Sequence, residues 1–315
     1  MTDIENTGAG TGTGVVVPPL LGTQITDWFG AAGEAWLAAL PGKVAVLAQR
    51  WNLRVRADSP FPDGHVSWAA PVLRLDGGGP AVLKIPYLDR ENLHEAAALR
   101  DYAGEGAVLL YEHDPESGAM LLEQLRPGTA VSDLPVEDAV DIACGILRRL
   151  RRIPPADHPY TLVTTETERW IERLDRAARE GHGFLPPKLA ERAAAVARDL
   201  LAHDAPLLVN SDPHLGNFLR AEREPWLMID PKPLVGDPAF DAGFLLFDAV
   251  RTDPSPRRAA DCAGRIADGL GVDLERVRGW GLVRAAQNCL WETGEFAQAC
   301  LTLAESIAWG ERGEP

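Results

Sequence analysis

Apolar residues recur at helical spacing over 28–49, and past residue 50 the pattern changes to short apolar runs bounded by turn residues. Between 53 and 122 five runs have strand composition, "LRVRA", "HVSWAAPVLRL", "AVLKIPY", "AVLLYE" and "AMLLE", set apart by "SPFPDG", "DGGGP" and "DPESG". One helical stretch, "DRENLHEAAALRDYA", follows the third run and places Leu93, Ala97 and Leu99 near one face. After "EQLRPG" the period is helical again, in "VEDAVDIACGILRRLRRI", "TETERWIERLDRAARE", "PKLAERAAAVARDLLAHD" and a tail from "PSPRRAADCAGRI" onward. Inside this region two apolar runs, "PLLV" and "WLMI", each lead into a polar cluster with an aspartate, Asp212 and Asp230. The pattern predicts an α+β fold: a small antiparallel five-stranded lobe with one helix over 25–123, a linker at 124–128 and a larger, mostly helical lobe over 129–315. Two such lobes imply a ligand cleft between them. Residues 1–24 are Gly/Thr-rich and read as a flexible leader, since "GAGTGTG" lacks a preceding strand and the GxGxxG spacing of a phosphate loop.

Composition narrows the classes. The 315 residues, 46% of them hydrophobic, can bury a sizeable core. The four cysteines, Cys144, Cys262, Cys289 and Cys300, are scattered without a CxxC pair and read as small buried hydrophobes of a reducing compartment. No apolar run reaches the roughly 18–20 uncharged residues of a membrane span, and the start lacks the basic and apolar regions of a signal peptide. The expectation is a cytoplasmic protein with no membrane partner. A net charge of −15 repels nucleic acid and favours a cationic small molecule, while serving solubility equally well.

The chemistry concentrates in "NSDPHLGNFL" and "MIDPK". Asp212 is followed five residues later by Asn217, and a strand pair joined through "RAEREP" would bring Asn217 beside Asp230. Carboxylate and amide oxygens suit Mg²⁺, whose shell at such sparse sites is completed by nucleotide phosphates and water. Zinc through Asp212 and His214 is the rival, with too few ligands in the motif.

The order Asp, four residues, Asn, strand, Asp resembles the catalytic loop and metal aspartate of the protein-kinase-like fold. The words "NFLRAEREPWLMIDPKPLVGDPAFD" resemble the aminoglycoside phosphotransferase family, most closely its streptomycin 6-phosphotransferase and hydroxyurea phosphotransferase group. The resemblance implies an ATP- and Mg²⁺-dependent enzyme that phosphorylates a hydroxyl of a small acceptor. It assigns Asp212 as the catalytic base, Asn217 and Asp230 as metal ligands, and Lys84 in "AVLKI" as the phosphate-binding lysine. Glu95 of "HEAAALR" would be the partner of Lys84, with Glu91 as the alternative. Gly64, His65 and Ser67 fall where a phosphate-covering loop belongs, and Glu123 and Leu125 where backbone meets adenine. Asn210 stands where the family usually has a histidine, and its amide could supply the same bracing bonds. Asp237 and Asp241 read as bracing carboxylates near a helix start. Lys232 could reach a phosphate or pair with Asp237.

A streptomycin-like acceptor carries guanidinium groups, which carboxylates bind by bidentate, charge-assisted bonds. The candidates are Glu166, Glu168, Glu292 and Glu295, with Trp291 packing on a sugar ring. Two other readings stay open: the same kinase machinery acting on hydroxyurea or an amino sugar, and a non-catalytic nucleotide-binding module.

Overall fold

The computed structural model describes residues 14–62, 64–181, 184–202, 205–291 and 293–309. The chain divides into two compact units, one within Met1–Leu93 and Leu110–Gln124, the other within His94–Leu109 and Leu125–Pro315.

The first unit opens with helix α1, Pro19–Arg50, which carries proline in its first turn and breaks helical geometry at Gly30 (φ 54°, ψ −134°). The leader expected over 1–24 therefore fails at its C-terminal end, where Leu21 is already buried in the core; residues 1–13 lie outside the described residues. On length and composition alone α1 is apolar enough to cross a membrane. Leu21, Ile25, Trp36, Leu40, Val44 and Leu47 form its buried stripe, and all of them join the core of this unit.

The sheet beneath α1 has strands β1 Leu53–Val55, β2 Ser67–Arg74, β3 Gly79–Pro86, β4 Leu110–His113 and β5 Met120–Glu123, in the order β1-β2-β3-β5-β4. Every pairing is antiparallel. Register puts Trp68 opposite Ile85, Ala70 opposite Leu83 and Val72 opposite Ala81, and these six residues are buried in the core shared with α1. Strand alternation then sets Lys84 on the other face, between Ala69 and Met120. Indole N–H groups fasten the helix and the chain before it: Trp36 Nε1 donates to the Pro86 carbonyl (3.1 Å) and Trp68 Nε1 to that of Val16 (2.9 Å).

The second unit begins with α2, Glu95–Tyr102. The sequence pattern grouped this helix with the sheet and started it earlier, with Leu93 on its apolar face. Leu93 instead precedes it and is 53% exposed, and the buried positions are Glu95, Ala96, Ala98, Leu99 and Tyr102. Polar bonds explain the grouping: Arg152 donates to the Asp101 carbonyl (2.7 Å), Tyr160 to the Asp101 carboxylate (2.5 Å) and Arg223 to the carbonyls of Gly104 (2.6 Å) and Ala107 (2.9 Å).

The rest of this unit is helical around two small sheets. Its helices are α3 Val136–Leu150, α4 Val163–Glu180, α5 Pro187–Leu200, α6 Phe240–Val250, α7 Pro256–Leu270, α8 Leu274–Asn288 and α9 Gly294–Trp309. One sheet joins β6 Thr161–Leu162, β10 Pro233–Gly236 and β7 Leu207–Asn210, with β10 central; the other is the hairpin of β8 Phe218–Arg220 and β9 Trp226–Met228. The core between α4, α6 and α8 is aromatic: Phe240 stacks on Trp170 (5.5 Å between centroids) and meets Trp280 edge-on (4.9 Å).

Candidate active site

Both aspartate clusters lie in the second unit, at the ends of β7 and β9. Phe218 pairs with Met228 in the β8–β9 hairpin, and one step further the Ile229 N–H donates to the Asn217 carbonyl at 2.8 Å. That bond sets Asn217 next to Asp230 in the chain's hydrogen-bonding pattern. Asn217 is buried and its Nδ2 donates to the Asp212 carbonyl (3.3 Å), which leaves Oδ1, the oxygen a hard cation takes, as the end not used in that bond. Asp230 sits at φ 51°, one of three described non-glycine residues with positive φ. A left-handed aspartate costs on the order of 1–3 kcal/mol and marks a position held by its surroundings. Among the described residues no group of three or more His, Cys, Asp and Glu could hold a metal by itself. An amide oxygen and one carboxylate fit a Mg²⁺ that takes its other ligands from phosphate and water.

Asn210 organises the loop. Its Oδ1 accepts from two backbone N–H groups, Asp212 at 3.0 Å and Lys232 at 3.1 Å, and its Nδ2 approaches Met228 Sδ at 3.2 Å. Its own N–H donates to Asp241 Oδ1 at 2.6 Å. A neutral imidazole at this position would offer one acceptor nitrogen, so the amide oxygen ties two chain segments where a histidine would tie one.

The carboxylates differ sharply in their partners. Asp212 Oδ2 takes the Lys232 ammonium at 2.6 Å, a pairing the sequence did not indicate, since Lys232 read as a phosphate ligand or a partner of Asp237. Burial pushes the Asp212 carboxyl up, but Lys232, with His214 and Arg284, outweighs it and holds the group below its ordinary value. Asp237 is claimed instead by α8: its Oδ2 accepts from Arg276 Nε (3.1 Å), Arg276 Nη2 and Trp280 Nε1 (2.6 Å), and its Oδ1 from the Ala239 N–H (2.9 Å). Asp241 lies in the first turn of α6 and braces β7 through Asn210, with Arg151 at 3.4 Å on its Oδ2. Burial pushes Asp241 up to about 6 against the pull of Arg151 and of the Asn210 N–H. Asp248, not singled out from the sequence, accepts the Leu215 N–H at 2.7 Å and so fixes the turn between Asp212 and Asn217.

In the first unit Lys84 is buried on β3, and in the second Glu95 is buried at the start of α2. Gly64 lies before a bend at 65–66, where a Cβ would be 2.3 Å from the Ser67 carbonyl oxygen and a side chain would force the backbone to shift; His65 is exposed and Ser67 begins β2. Glu123 ends β5 opposite Ala81, and Leu125 is half-buried just past it. Of the acceptor candidates, Glu166 is engaged within α4, its oxygens taking Trp170 Nε1 (2.9 Å) and Arg169 Nη1 (3.3 Å). Glu168 and Glu295 are exposed. Trp291 is 64% exposed and has the Arg173 guanidinium 4.8 Å from its ring centroid. Glu292 lies outside the described residues.

Residues 50–295 match the model of the aminoglycoside/hydroxyurea antibiotic resistance kinase family. The chain is 34% identical to a streptomycin 6-kinase of Streptomyces glaucescens, over 95% of this chain and 98% of that one. It is 38% identical to a hydroxyurea phosphotransferase of Kitasatospora aureofaciens, over 91% and 83%. Among solved structures, the choline kinase LicA of Streptococcus pneumoniae shares the fold at a TM-score of 0.59 and 12% identity, covering 86% of this chain and 99% of that one. A ternary complex of aminoglycoside phosphotransferase APH(4)-Ia with ADP and hygromycin B does so at 0.57 and 14%, over the same shares. The chain belongs to the aminoglycoside/hydroxyurea antibiotic resistance kinase family.

Proposed function

We propose that this phosphotransferase moves the γ-phosphoryl group of ATP to a hydroxyl of a streptomycin-like aminoglycoside and thereby confers resistance. The observation that carries the site assignment is the juxtaposition of Asn217 with Asp230 through the 2.8 Å bond from Ile229 to Asn217, with Asp212 tied to the same amide. The acceptor assignment rests on the 34% identity to a streptomycin 6-kinase over nearly the whole of both chains.

Asp212 receives or orients the proton of the attacking hydroxyl, and its lowered proton affinity keeps it ionised at neutral pH for that task. Asn217 and Asp230 hold Mg²⁺, which when bound neutralises phosphate charge during transfer. Lys84 adds its positive charge to the nucleotide phosphates, and Glu95 keeps the acidic role that the family pattern gives it. The turn of Gly64, His65 and Ser67 covers the phosphates, and the backbone at Glu123 and Leu125 meets the adenine edge. We assign the acceptor's guanidinium groups to the exposed carboxylates Glu168 and Glu295, since Glu166 is engaged within its helix. The 38% identity to a hydroxyurea phosphotransferase favours hydroxyurea as the second acceptor to try.

The test is to incubate the protein with Mg²⁺-ATP and streptomycin, other aminoglycosides or hydroxyurea, and to read phosphorylated product by mass spectrometry. Phosphorylated streptomycin is expected from the wild type and none from Asp212→Asn, with ATP affinity nearly unchanged. Undiminished product from Asp212→Asn removes the residue from this role.

A further inference from the structure

Lys232 enters the site on the turn between Asp230 and β10, and its backbone is tied from both sides. Its N–H donates to Asn210 Oδ1 at 3.1 Å, and the Ser211 N–H donates to its carbonyl at 2.9 Å. With the Cα thus placed opposite the catalytic loop, the side chain reaches Asp212, Nζ to Oδ2 at 2.6 Å. Both side chains are largely withdrawn from water, 16% exposed for Lys232 and 17% for Asp212. Ammonium-to-carboxylate bonds at this distance are charge-assisted and stronger than neutral ones, and partial burial limits screening. Among the described residues Oδ1 of the same carboxylate accepts no hydrogen bond.

We propose that Lys232 is a positioning residue for phosphoryl transfer: it fixes the Asp212 carboxylate by one oxygen, so that the other is presented to the acceptor hydroxyl. The inference rests on the reading of Asp212 given above. The terminal torsion of an aspartate is broad, so a carboxylate with neither oxygen held samples orientations that do not face the nucleophile. Catalysis by a base depends on that geometry, and a misplacement of about 1 Å can cost on the order of a hundredfold in rate. Lysine suits the task because its ammonium is a compact charge with rotatable donors; arginine can hold the same oxygen with a stiffer, planar group.

The test compares Lys232→Met, Lys232→Arg, Asp212→Asn and the Lys232→Met/Asp212→Asn double variant, each shown to be folded by its thermal melt. kcat and KM are measured for ATP and streptomycin, and ADP release with water as acceptor is followed in parallel so that the comparison does not depend on the choice of acceptor. Lys232→Met is expected to lower kcat about tenfold or more while both KM values stay within about twofold, and Lys232→Arg to recover most of the loss. The double variant should be no slower than Asp212→Asn, since a residue that acts only through Asp212 has nothing left to position. A Lys232→Met enzyme with wild-type kcat beside an inactive Asp212→Asn overturns this inference and leaves the reading of Asp212 standing. A loss confined to KM for ATP overturns it too, by assigning Lys232 to the phosphates. An active Asp212→Asn overturns the reading of Asp212, and this inference with it.

Discussion

Replacing Asn210 by alanine removes one side-chain oxygen and strands two backbone donors. Asn210 is 2% exposed, and its Oδ1 is the acceptor for the N–H groups of Asp212 (3.0 Å) and Lys232 (3.1 Å). A donor left without a partner away from water costs about 1–3 kcal/mol, so the pair amounts to roughly 2–6 kcal/mol, a large part of the ~5–15 kcal/mol by which domains are stable. The same bonds hold Asp212 and the Asp230–Lys232 segment in register, so kcat should fall by an order of magnitude or more while ATP affinity changes less. Asn210→His, which restores the residue usual in the family, supplies one ring acceptor for two donors and is expected between wild type and alanine in both stability and kcat. Urea unfolding curves and steady-state kinetics on the three proteins measure this. A histidine variant equal to or better than wild type would refute the claim that the amide is needed because it accepts twice.

Three further outcomes follow from packing and burial. Asp241 has a folded-state value of about 6 against an ordinary 3.8, so the folded protein binds the extra proton between those values. Its contribution to stability therefore declines as pH rises from about 4 through about 6, by roughly 3 kcal/mol in all, and urea unfolding at pH 4 and pH 7 should show wild type losing about 2 kcal/mol of it relative to Asp241→Asn. A difference that does not change with pH would mean that Arg151 and the Asn210 N–H together offset burial. Gly243→Ala would put a Cβ 2.7 Å from the Trp280 carbonyl oxygen where α6 crosses α8, and should destabilise by about 1–3 kcal/mol in a thermal or urea melt. Trp280→Phe keeps an aromatic ring against Phe240 but loses the 2.6 Å bond to Asp237, a charge-assisted bond worth about 1.5–3 kcal/mol; an unchanged unfolding midpoint would show that Arg276 alone satisfies that carboxylate.

The five strands of the first unit were legible because each combines β-favouring residues with a Gly/Pro/Asp turn, and both signals are local. The start of α1 was not read, although Pro19 in the first turn is the sort of signal that marks one. The α6 segment "FDAGFLLFDAV" was read only as a helix start near Asp237 and Asp241, and its extent was missed for a different reason. Nine of its eleven residues are buried, so it has no polar face and hence no period to detect. In the proposed site, Asp212, Asn217 and Asp230 stand out in the sequence because Mg²⁺-dependent phosphoryl transfer would need those residue types at that spacing. Their supports do not. Arg151 meets Asp241 across 90 positions and Arg276 meets Asp237 across 39, and nothing in an arginine's neighbours along the chain names a partner so far away.

Burial and donor supply separate the aspartates of this region by role where residue type does not. Asp237 and Asp241 are buried, and each is met by an arginine and by a backbone N–H, with the Trp280 indole added for Asp237. A carboxylate so supplied can bind nothing else without breaking what holds it, and its removal would leave a partly buried arginine uncompensated. Asp212 is held by one oxygen and keeps 17% of its side chain open, and Asp230 sits partly exposed on a strained backbone. The first pair is placed to brace; the second pair keeps the partial exposure that the proposed base and metal ligand would need. In a chain with 46 acidic and 31 basic residues, the placement of a few cations sets the carboxylates apart: Arg151 and Arg276 meet the buried Asp241 and Asp237, and Lys232 meets one oxygen of the partly exposed Asp212.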